Sequence, residues 1–381
     1  MTMERIQQLL DSFVEKGMAV GTSVLIFKDG KEAFYGSAGC MYKGGEPFRR
    51  DAIMAMYSMT KPVIGAACAK LFEQKLAAPE TPIHEFLPAF RHMSVLREDG
   101  TLEAAREPLT IEHLLTMTGG ICTPREGMEV MPYFQKALEA QAQRGPASTI
   151  DVANLYAEMP LLFQPGEKWM YGMGPDVLGG VIAAATGMEL QTYLEKEFYQ
   201  PLGIHDMCFH VPEEKQSRMA GLYNVEENDE FVLRPKHTVL YGNVDITNAD
   251  RGSGGMFGTL DDYIRFGEML RKGGDGVLAP ETVAEMTRNH LNDAQLATFN
   301  GQPTGYGYGW LVRTMMHPEM RPFGTESTGC FGWDGMAGTT LRIDPARGLT
   351  TVFGIQRIPA KSDCFIPPLL DAIKQVWPVE G

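Results

Sequence analysis

Ser58 and Lys61 are the two residues whose types and spacing most directly suggest chemistry. They form a Ser-x-x-Lys motif at the head of an apolar run that extends to Leu76. Because positions three apart lie on one helix face, a helix beginning at about Ser58 would make the two side chains neighbours. A serine hydroxyl becomes a nucleophile when a base removes its proton, and a buried lysine amine can serve as that base. The motif alone is also compatible with a helix start of no catalytic role, in which the lysine is simply exposed.

Composition narrows the class of protein. The chain has 381 residues, 44% of them hydrophobic, and a net charge of −14. This length suffices for one large catalytic unit, which we expect to span residues 1–381. The negative charge disfavours nucleic acid and anionic membrane surfaces as partners. Since no run of eighteen apolar residues occurs and residues 1–17 have the pattern of an amphipathic helix rather than a signal peptide, we expect a cytoplasmic protein without a membrane span.

The cysteines and histidines give no sign of a metal site. The six cysteines are scattered and include no Cys-x-x-Cys pair, which is typical of small core residues in a reducing compartment. The eight histidines include no His-Glu-x-x-His motif. We therefore expect neither a metal nor another cofactor.

Strand patterns occur at both ends of the chain. β-Branched and aromatic residues at 20–27 and 32–39 flank an Asp-Gly turn, which predicts a β-hairpin. Further strands are predicted at 306–312, 339–343 and 349–355. Strands at both ends with helices between them indicate an α+β fold, in which both chain ends contribute to one antiparallel sheet. The predicted α/β part comprises residues 1–78 and 301–381, and the mostly helical part comprises 79–300.

Helix signals dominate the middle of the chain. Capping residues, glycine stops and apolar spacing predict helices at 110–115, 149–159, 174–187, 259–272 and 280–291, with a final helix at 368–376.

A second motif lies in the Gly/Pro-punctuated segment 164–174. Its pattern, Pro-Gly-x4-Tyr-x6-Leu-Gly with Tyr171 at the centre, resembles the tyrosine motif of class C β-lactamases, penicillin-binding D-peptidases and family VIII carboxylesterases. Segments 109–120, 201–207 and 254–259 also resemble these families, so the resemblance runs in order over roughly residues 15–360. It implies a β-lactamase/transpeptidase-like fold, and family VIII carboxylesterases are the nearest match.

The resemblance implies that Tyr171 is the partner of Ser58 and Lys61. A tyrosine held near an ammonium group loses its proton more easily, because opposite charge favours the anion. It could then accept the serine proton and return it to the leaving group. Coupled groups share protons, so the formal base, Tyr171 or Lys61, stays open.

The third family motif carries a Lys or His beside the serine, and the matching segment here is 331–338. Trp333 stands in place of the cation, and Trp333-Asp334-Gly335 resembles the Trp-x-Gly of family VIII esterases, in which the middle residue is usually glycine. The resemblance places these three residues at the substrate. It also implies that the Met336 main-chain N–H completes an oxyanion hole with the N–H of Ser58.

Met173 is a further departure from the β-lactamase pattern. It stands two residues after Tyr171, where β-lactamases carry an asparagine, and we expect it to contact substrate. With Trp333, it replaces a polar anchor for a charged substrate by apolar surface.

These features favour a serine carboxylesterase that acts on a small-molecule ester. Three alternatives stay open: a β-lactamase or D-peptidase with a modified third motif, an acyltransferase of the same fold, and a non-catalytic binding protein. An α/β-hydrolase is disfavoured because no Gly-x-Ser-x-Gly occurs. The sequence is compatible with a homo-oligomer and does not define the oligomeric state.

Overall fold

The computed structural model describes residues 3–235, 249–299, 304–321 and 324–379. Within these ranges the α-helices, numbered in chain order, are α1 Glu4–Glu15, α2 Thr60–Glu73, α3 Ile111–Leu115, α4 Met131–Arg144, α5 Thr149–Leu155, α6 Gly174–Thr186, α7 Leu190–Leu194, α8 Gln200–Leu202, α9 Leu260–Arg271, α10 Pro280–Thr287, α11 Asp293–Leu296 and α12 Ser362–Val376. The strands are β1 Gly21–Lys28, β2 Lys31–Gly39, β3 Met54–Ala55, β4 Ser94–Leu96, β5 Leu102–Ala104, β6 Tyr223–Val225, β7 Phe231–Leu233, β8 Phe257–Gly258, β9 Tyr306–Tyr308, β10 Arg313–Met315, β11 Phe331–Asp334, β12 Thr340–Asp344, β13 Leu349–Ile355 and β14 Arg357–Ile358.

A seven-stranded antiparallel sheet joins the two ends of the chain. Its spatial order is β2-β1-β13-β12-β11-β10-β9. The predicted N-terminal hairpin is confirmed as β1 and β2. Strand β1 also pairs with β13, in a register that places Val24 opposite Phe353. The expectation of an antiparallel sheet built from both ends is therefore confirmed.

Helices cover both faces of this sheet. On one face α1 and α12 form an apolar layer, in which Leu10 and Leu369 pack with Val24 and Phe353. On the other face α9 contacts β1, β12 and β13. Burial on both faces explains why the strands β12 and β13 are apolar or uncharged along most of their length.

Helix α2, which follows Ser58, lies at the centre of the molecule. Every residue from Thr60 to Ala69 is buried, and the helix contacts α6, α10 and β11. A helix that is apolar on all sides needs such complete enclosure. The enclosure fixes the direction of α2 and hence the position of the residues at its start.

Several predicted elements have different bounds in the structure. The predicted strand 306–312 ends at Tyr308 as β9, and β10 begins only at Arg313, because the chain turns at Leu311, whose φ is +59° and whose N–H donates to the Leu115 carbonyl. The last helix begins at Ser362 rather than 368 and contains Pro367 and Pro368. Burial of α12 residues against the sheet offsets the two main-chain hydrogen bonds that these prolines cannot make.

Helices α3 to α11 all fall within the predicted helical part, 79–300, although α9 packs on the sheet. Helices α5 and α10 end at Leu155 and Thr287, short of the predicted 159 and 291. The sequence does not predict α4, α7, α8 or α11. No helix among the described residues is long and apolar enough to cross a membrane. The division into two parts stays a prediction.

The central position of α2 predicts a contrast between two leucines. Leu71 is fully buried, whereas Leu76, just after the helix, is 44% exposed. We expect Leu71→Ala to lower the free energy of unfolding by about 2–5 kcal/mol, because it leaves a cavity. The same change at Leu76 should cost less than about 1 kcal/mol. Urea unfolding of both variants measures the difference, and equal losses would contradict the enclosure of α2.

Candidate active site

Ser58 is presented by a short 3₁₀ turn, Tyr57–Met59, that leads into α2. Tyr57 has φ of +48°, a conformation that a non-glycine residue adopts at a cost in free energy. Hydrogen bonds hold this conformation: the Met56 N–H donates to the Met256 carbonyl at 2.9 Å, and the Thr60 hydroxyl donates to the Tyr57 carbonyl at 2.6 Å. The turn therefore fixes the direction of the Ser58 side chain.

The structure brings Ser58, Lys61 and Tyr171 together. The hydroxyl oxygens of Ser58 and Tyr171 lie 2.5 Å apart, and Lys61 Nζ donates to Ser58 Oγ at 3.1 Å. The Lys61 nitrogen also lies 4.8 Å from the centre of the Tyr171 ring. Lys61 is only 1% exposed. The half-buried serine hydroxyl thus contacts two groups that can exchange protons with it, one of which, the Lys61 amine, is removed from water.

Tyr171 reaches this position because its loop is tied to the segment after α3. The Met170 N–H donates to the Met117 carbonyl at 2.9 Å. At Gly172 a Cβ atom would lie 1.8 Å from the Ile121 carbonyl oxygen, so only glycine permits this approach of the two main chains. Met173, half-buried, occupies the cap position before α6.

Trp333 forms an apolar wall beside the tyrosine. Its ring stacks on that of Tyr171, with centroids 6.0 Å apart and an interplanar angle of 13°. Tyr308 meets Trp333 edge-on at 5.4 Å. Trp333 is only 8% exposed, so it belongs to the inner lining of the site rather than its surface.

Asp334 does not join the Ser58 cluster. Its carboxylate accepts hydrogen bonds from Arg313 and Arg342, each at 2.8 Å. It lines a cavity of about 460 Å³ that is also bounded by residues of α12, on the other face of the sheet from α9. Burial alone would raise the pKa of this carboxyl, but the two arginines outweigh burial and hold its pKa well below the usual range. The substrate contact expected for Asp334 has no support in these interactions.

Gly335 and Met336 bring main-chain groups close to the nucleophile turn. The Thr339 hydroxyl donates to the Met56 carbonyl at 3.1 Å, and a Cβ atom at Gly335 would lie 2.4 Å from that same carbonyl oxygen. Met336 follows in the exposed turn after β11. Among the described residues, the N–H groups of Ser58 and Met336 make no hydrogen bond, so both are available to an oxyanion.

Two residues near the cluster were missed by the sequence analysis. Ser253 accepts a hydrogen bond from Lys61 Nζ through its main-chain carbonyl, and Asp176 in turn binds Ser253. A carbonyl acceptor has no residue-type signature. The only available signal for Ser253 was its position beside Gly254, at the start of a segment already noted for its resemblance.

The fold agrees with the comparison of this chain with known families. The chain matches the Beta-lactamase family over residues 6–369, and it belongs to that family. The protein is thus an enzyme of the β-lactamase fold, of hydrolase type, as the sequence resemblance predicted.

Individual relatives include esterases. An uncharacterised protein of Mycobacterium tuberculosis is 33% identical over 330 residues, which cover 83% of this chain and 80% of the relative. The esterase EstB of Burkholderia gladioli is 28% identical over 372 residues, with 91% and 88% covered. The solved structure of EstCE1, described as a hydrolase with promiscuous acyltransferase activity, superposes with a TM-score of 0.80 at 24% identity and covers 97% of both chains.

The Asp334 ion pairs predict a pH-dependent loss of stability. Asp334→Asn removes the carboxylate that pairs with Arg313 and one of the two that pair with Arg342, the other being Glu326. We therefore expect the free energy of unfolding at pH 7 to fall by about 3 kcal/mol. Because the folded-state pKa is depressed, the stability from this carboxylate is present above its unfolded-state pKa and is lost as the pH falls. The difference between wild type and variant should therefore narrow below about pH 4.

Asp229 offers the matched control for this measurement. It forms an exposed ion pair with Lys361 at 3.4 Å, so Asp229→Asn should change the free energy of unfolding by less than about 0.5 kcal/mol at any pH. If the difference in stability between the wild type and Asp334→Asn stayed constant as the pH was lowered from about 7 to about 3, it would contradict the role assigned to the arginines.

Proposed function

We propose that the protein is a serine carboxylesterase that cleaves small uncharged esters through an acyl-enzyme on Ser58. The observation that carries the proposal is the position of the Ser58 hydroxyl, 2.5 Å from the Tyr171 hydroxyl and 3.1 Å from Lys61 Nζ. These distances are within the range for direct proton transfer. A serine in contact with a potential base, at the start of a helix, is the arrangement expected of an activated nucleophile.

In the proposed reaction, Ser58 Oγ attacks the ester carbonyl carbon while its proton passes to the Tyr171–Lys61 pair. The main-chain N–H groups of Ser58 and Met336 stabilise the negative charge on the carbonyl oxygen. The tetrahedral intermediate collapses, the bond to the alkoxide breaks, and the alkoxide receives the proton from the pair. A water molecule then attacks the acyl-enzyme in the same manner and releases the acid and free Ser58. Tyr171 and Lys61 act as one coupled unit.

The lining of the site favours uncharged substrates. Trp333 stands where a cation would meet the carboxylate of a β-lactam or a D-Ala peptide, and charge-assisted hydrogen bonds of that kind are roughly twice as strong as neutral ones. Arg313, on the strand β10 that pairs with the Trp333 strand β11, already forms an ion pair with Asp334. An ester needs no such anchor, and its alkoxide leaves more easily than an amine.

A second cavity provides apolar volume next to the nucleophile turn. Tyr57 and Gly254 line it together with Ile53, Met219 and Met256, and its volume is about 180 Å³. Tyr57 precedes Ser58, so this cavity begins one residue from the nucleophile. We propose that it accepts the apolar part of a short-chain ester.

The relatives support an esterase and keep a second candidate in view. EstB is an esterase, and EstCE1 is described as a hydrolase with acyltransferase activity. In an acyltransferase an alcohol would replace water in the second half of the same reaction.

We further propose a cytoplasmic location, supported by six unpaired cysteines.

The acyl-enzyme predicts covalent labelling at one residue. We expect an aryl phosphonate directed at serine hydrolases to add once, on the peptide that contains Ser58, as peptide mass spectrometry would show. Ser58→Ala should abolish labelling and lower kcat for nitrophenyl butyrate at least about a thousandfold. Ser37→Ala, which removes a half-buried hydroxyl bound to the Phe48 carbonyl, should leave both unchanged. A label on another residue, or full activity of the Ser58 variant, would refute the proposal.

The apolar lining predicts substrate preference. We expect kcat/KM for nitrophenyl butyrate to exceed that for benzylpenicillin by at least about a hundredfold, because Trp333 takes the place of the cation that would hold the penicillin carboxylate. Trp333→Lys should shift this ratio toward the penicillin, whereas Trp377→Lys, far from Ser58 in sequence and packed with the α1–α12 layer, should not. A higher kcat/KM for benzylpenicillin in the wild-type enzyme would favour the β-lactamase alternative instead.

A further inference from the structure

The position of the Lys61 amine depends on a main-chain carbonyl. Lys61 Nζ donates to Ser58 Oγ and to the carbonyl oxygen of Ser253. Among the described residues no carboxylate forms an ion pair with Lys61, although the side chain is almost completely buried. Ser253 is therefore the acceptor that determines where the amine lies when it is not bonded to the nucleophile.

Ser253 is itself held by two hydrogen bonds to one residue. The Ser253 N–H donates to Oδ1 of Asp176 at 2.7 Å, and the Asp176 N–H donates to Ser253 Oγ at 3.1 Å. These two bonds, in opposite directions, fix both the position and the orientation of Ser253. They connect the loop before β8 to the first turn of α6.

Asp176 has the chemistry and the surroundings of a rigid anchor. It is 1% exposed. Its second oxygen accepts a hydrogen bond from the Tyr156 hydroxyl at 3.0 Å and pairs with Arg251 Nη2 at 3.4 Å. A carboxylate can accept from all of these donors at once, whereas an asparagine side chain has one oxygen and would present its NH₂ to the others.

Asp176 also lies five residues after Tyr171. The first turn of α6 thus determines the position of Tyr171 through the chain and that of Lys61 through Ser253. The positions of both partners of Ser58, Tyr171 and Lys61, therefore depend on the same part of α6. A shift of about 1 Å between a nucleophile and its partners can cost on the order of a hundredfold in rate.

We propose that Asp176 is a positioning residue for catalysis, which holds the Ser253 carbonyl so that the Lys61 amine stays within hydrogen-bond distance of Ser58. This proposal rests on the proposed roles of Ser58 and Lys61. Asp176 does not touch the reacting atoms, and its effect on the reaction passes through Ser253 and Lys61. Its removal therefore changes kcat more than KM.

The first experiment compares kcat and KM for nitrophenyl butyrate. We expect Asp176→Asn, which retains one acceptor for the Ser253 N–H, to lower kcat about tenfold, and Asp176→Ala to lower it about a hundredfold, with KM changed less than about threefold. Asp262→Asn is the matched control, because Asp262 is also a buried carboxylate that accepts from main-chain N–H groups, those of residues 205 and 206. The control should lower the thermal midpoint and leave kcat within about twofold.

A second experiment separates positioning from general loss of structure. The rate of phosphonate labelling at Ser58 is measured for Asp176→Asn, Lys61→Ala and the double variant. If Asp176 acts through Lys61, Asp176→Asn should slow labelling in the wild-type background and cause no further loss in the Lys61→Ala background. The asparagine variant keeps the experiment informative even if Asp176→Ala does not fold.

Two results would overturn the inference. One is the same loss factor for Asp176→Asn with and without Lys61, which would make the two residues independent. The other is an unchanged kcat in Asp176→Asn together with a lowered thermal midpoint, which would make Asp176 structural only. Failure of the proposed function itself is distinguishable, because Lys61→Ala would then label at the wild-type rate regardless of Asp176.

Discussion

The burial of the Lys61 amine is the constraint on which the arrangement of the site depends. Removing a polar group from water destabilises the folded protein unless the group finds hydrogen-bond partners inside it. For Lys61 these partners come from separate parts of the chain, namely the Ser58 hydroxyl and the Ser253 carbonyl, and the Tyr171 ring lies 4.8 Å away. The enclosure of α2 excludes water from this nitrogen. The loops that carry Ser253 and Tyr171 must therefore converge on the start of α2 for the fold to be stable there.

The local part of this arrangement could be predicted from the sequence. Ser58 and Lys61 are three residues apart, so helical geometry alone makes them neighbours. Tyr171 lies more than a hundred residues away, and its approach depends on tertiary packing, so only the resemblance to a known family could point to it. Asp176 and Ser253 were not found, because Ser253 acts through its main-chain carbonyl and the Asp176 carboxylate binds the main-chain N–H of Ser253. Such groups are the same in every residue and leave no pattern in the sequence.

The neighbours Trp333 and Asp334 show how sequence adjacency misleads. Successive side chains of a strand point to opposite faces of the sheet. Trp333 accordingly stacks on Tyr171, whereas Asp334 pairs with Arg342 and lines the cavity next to α12. The Asp334 carboxylate, which the resemblance places at the substrate, is instead neutralised by Arg313 and Arg342. Similarly, the sequence predicts one strand over 306–312, but the strand ends at Tyr308. The left-handed turn at Leu311 that follows involves a hydrogen bond to Leu115, which no local pattern encodes.

The pairing of β1 with β13 also governs the order in which the molecule is assembled during synthesis. The two strands are separated by roughly 330 residues, so the ribosome releases β1 long before its partner exists. Throughout that interval one edge of the N-terminal hairpin lacks its main-chain partners and offers a template for pairing with another chain. The strands β11 to β13 are synthesised together near the end, and they include Trp333, whose ring stacks on Tyr171. The nascent chain thus carries the Ser58–Lys61 segment well before it has the elements that enclose the site.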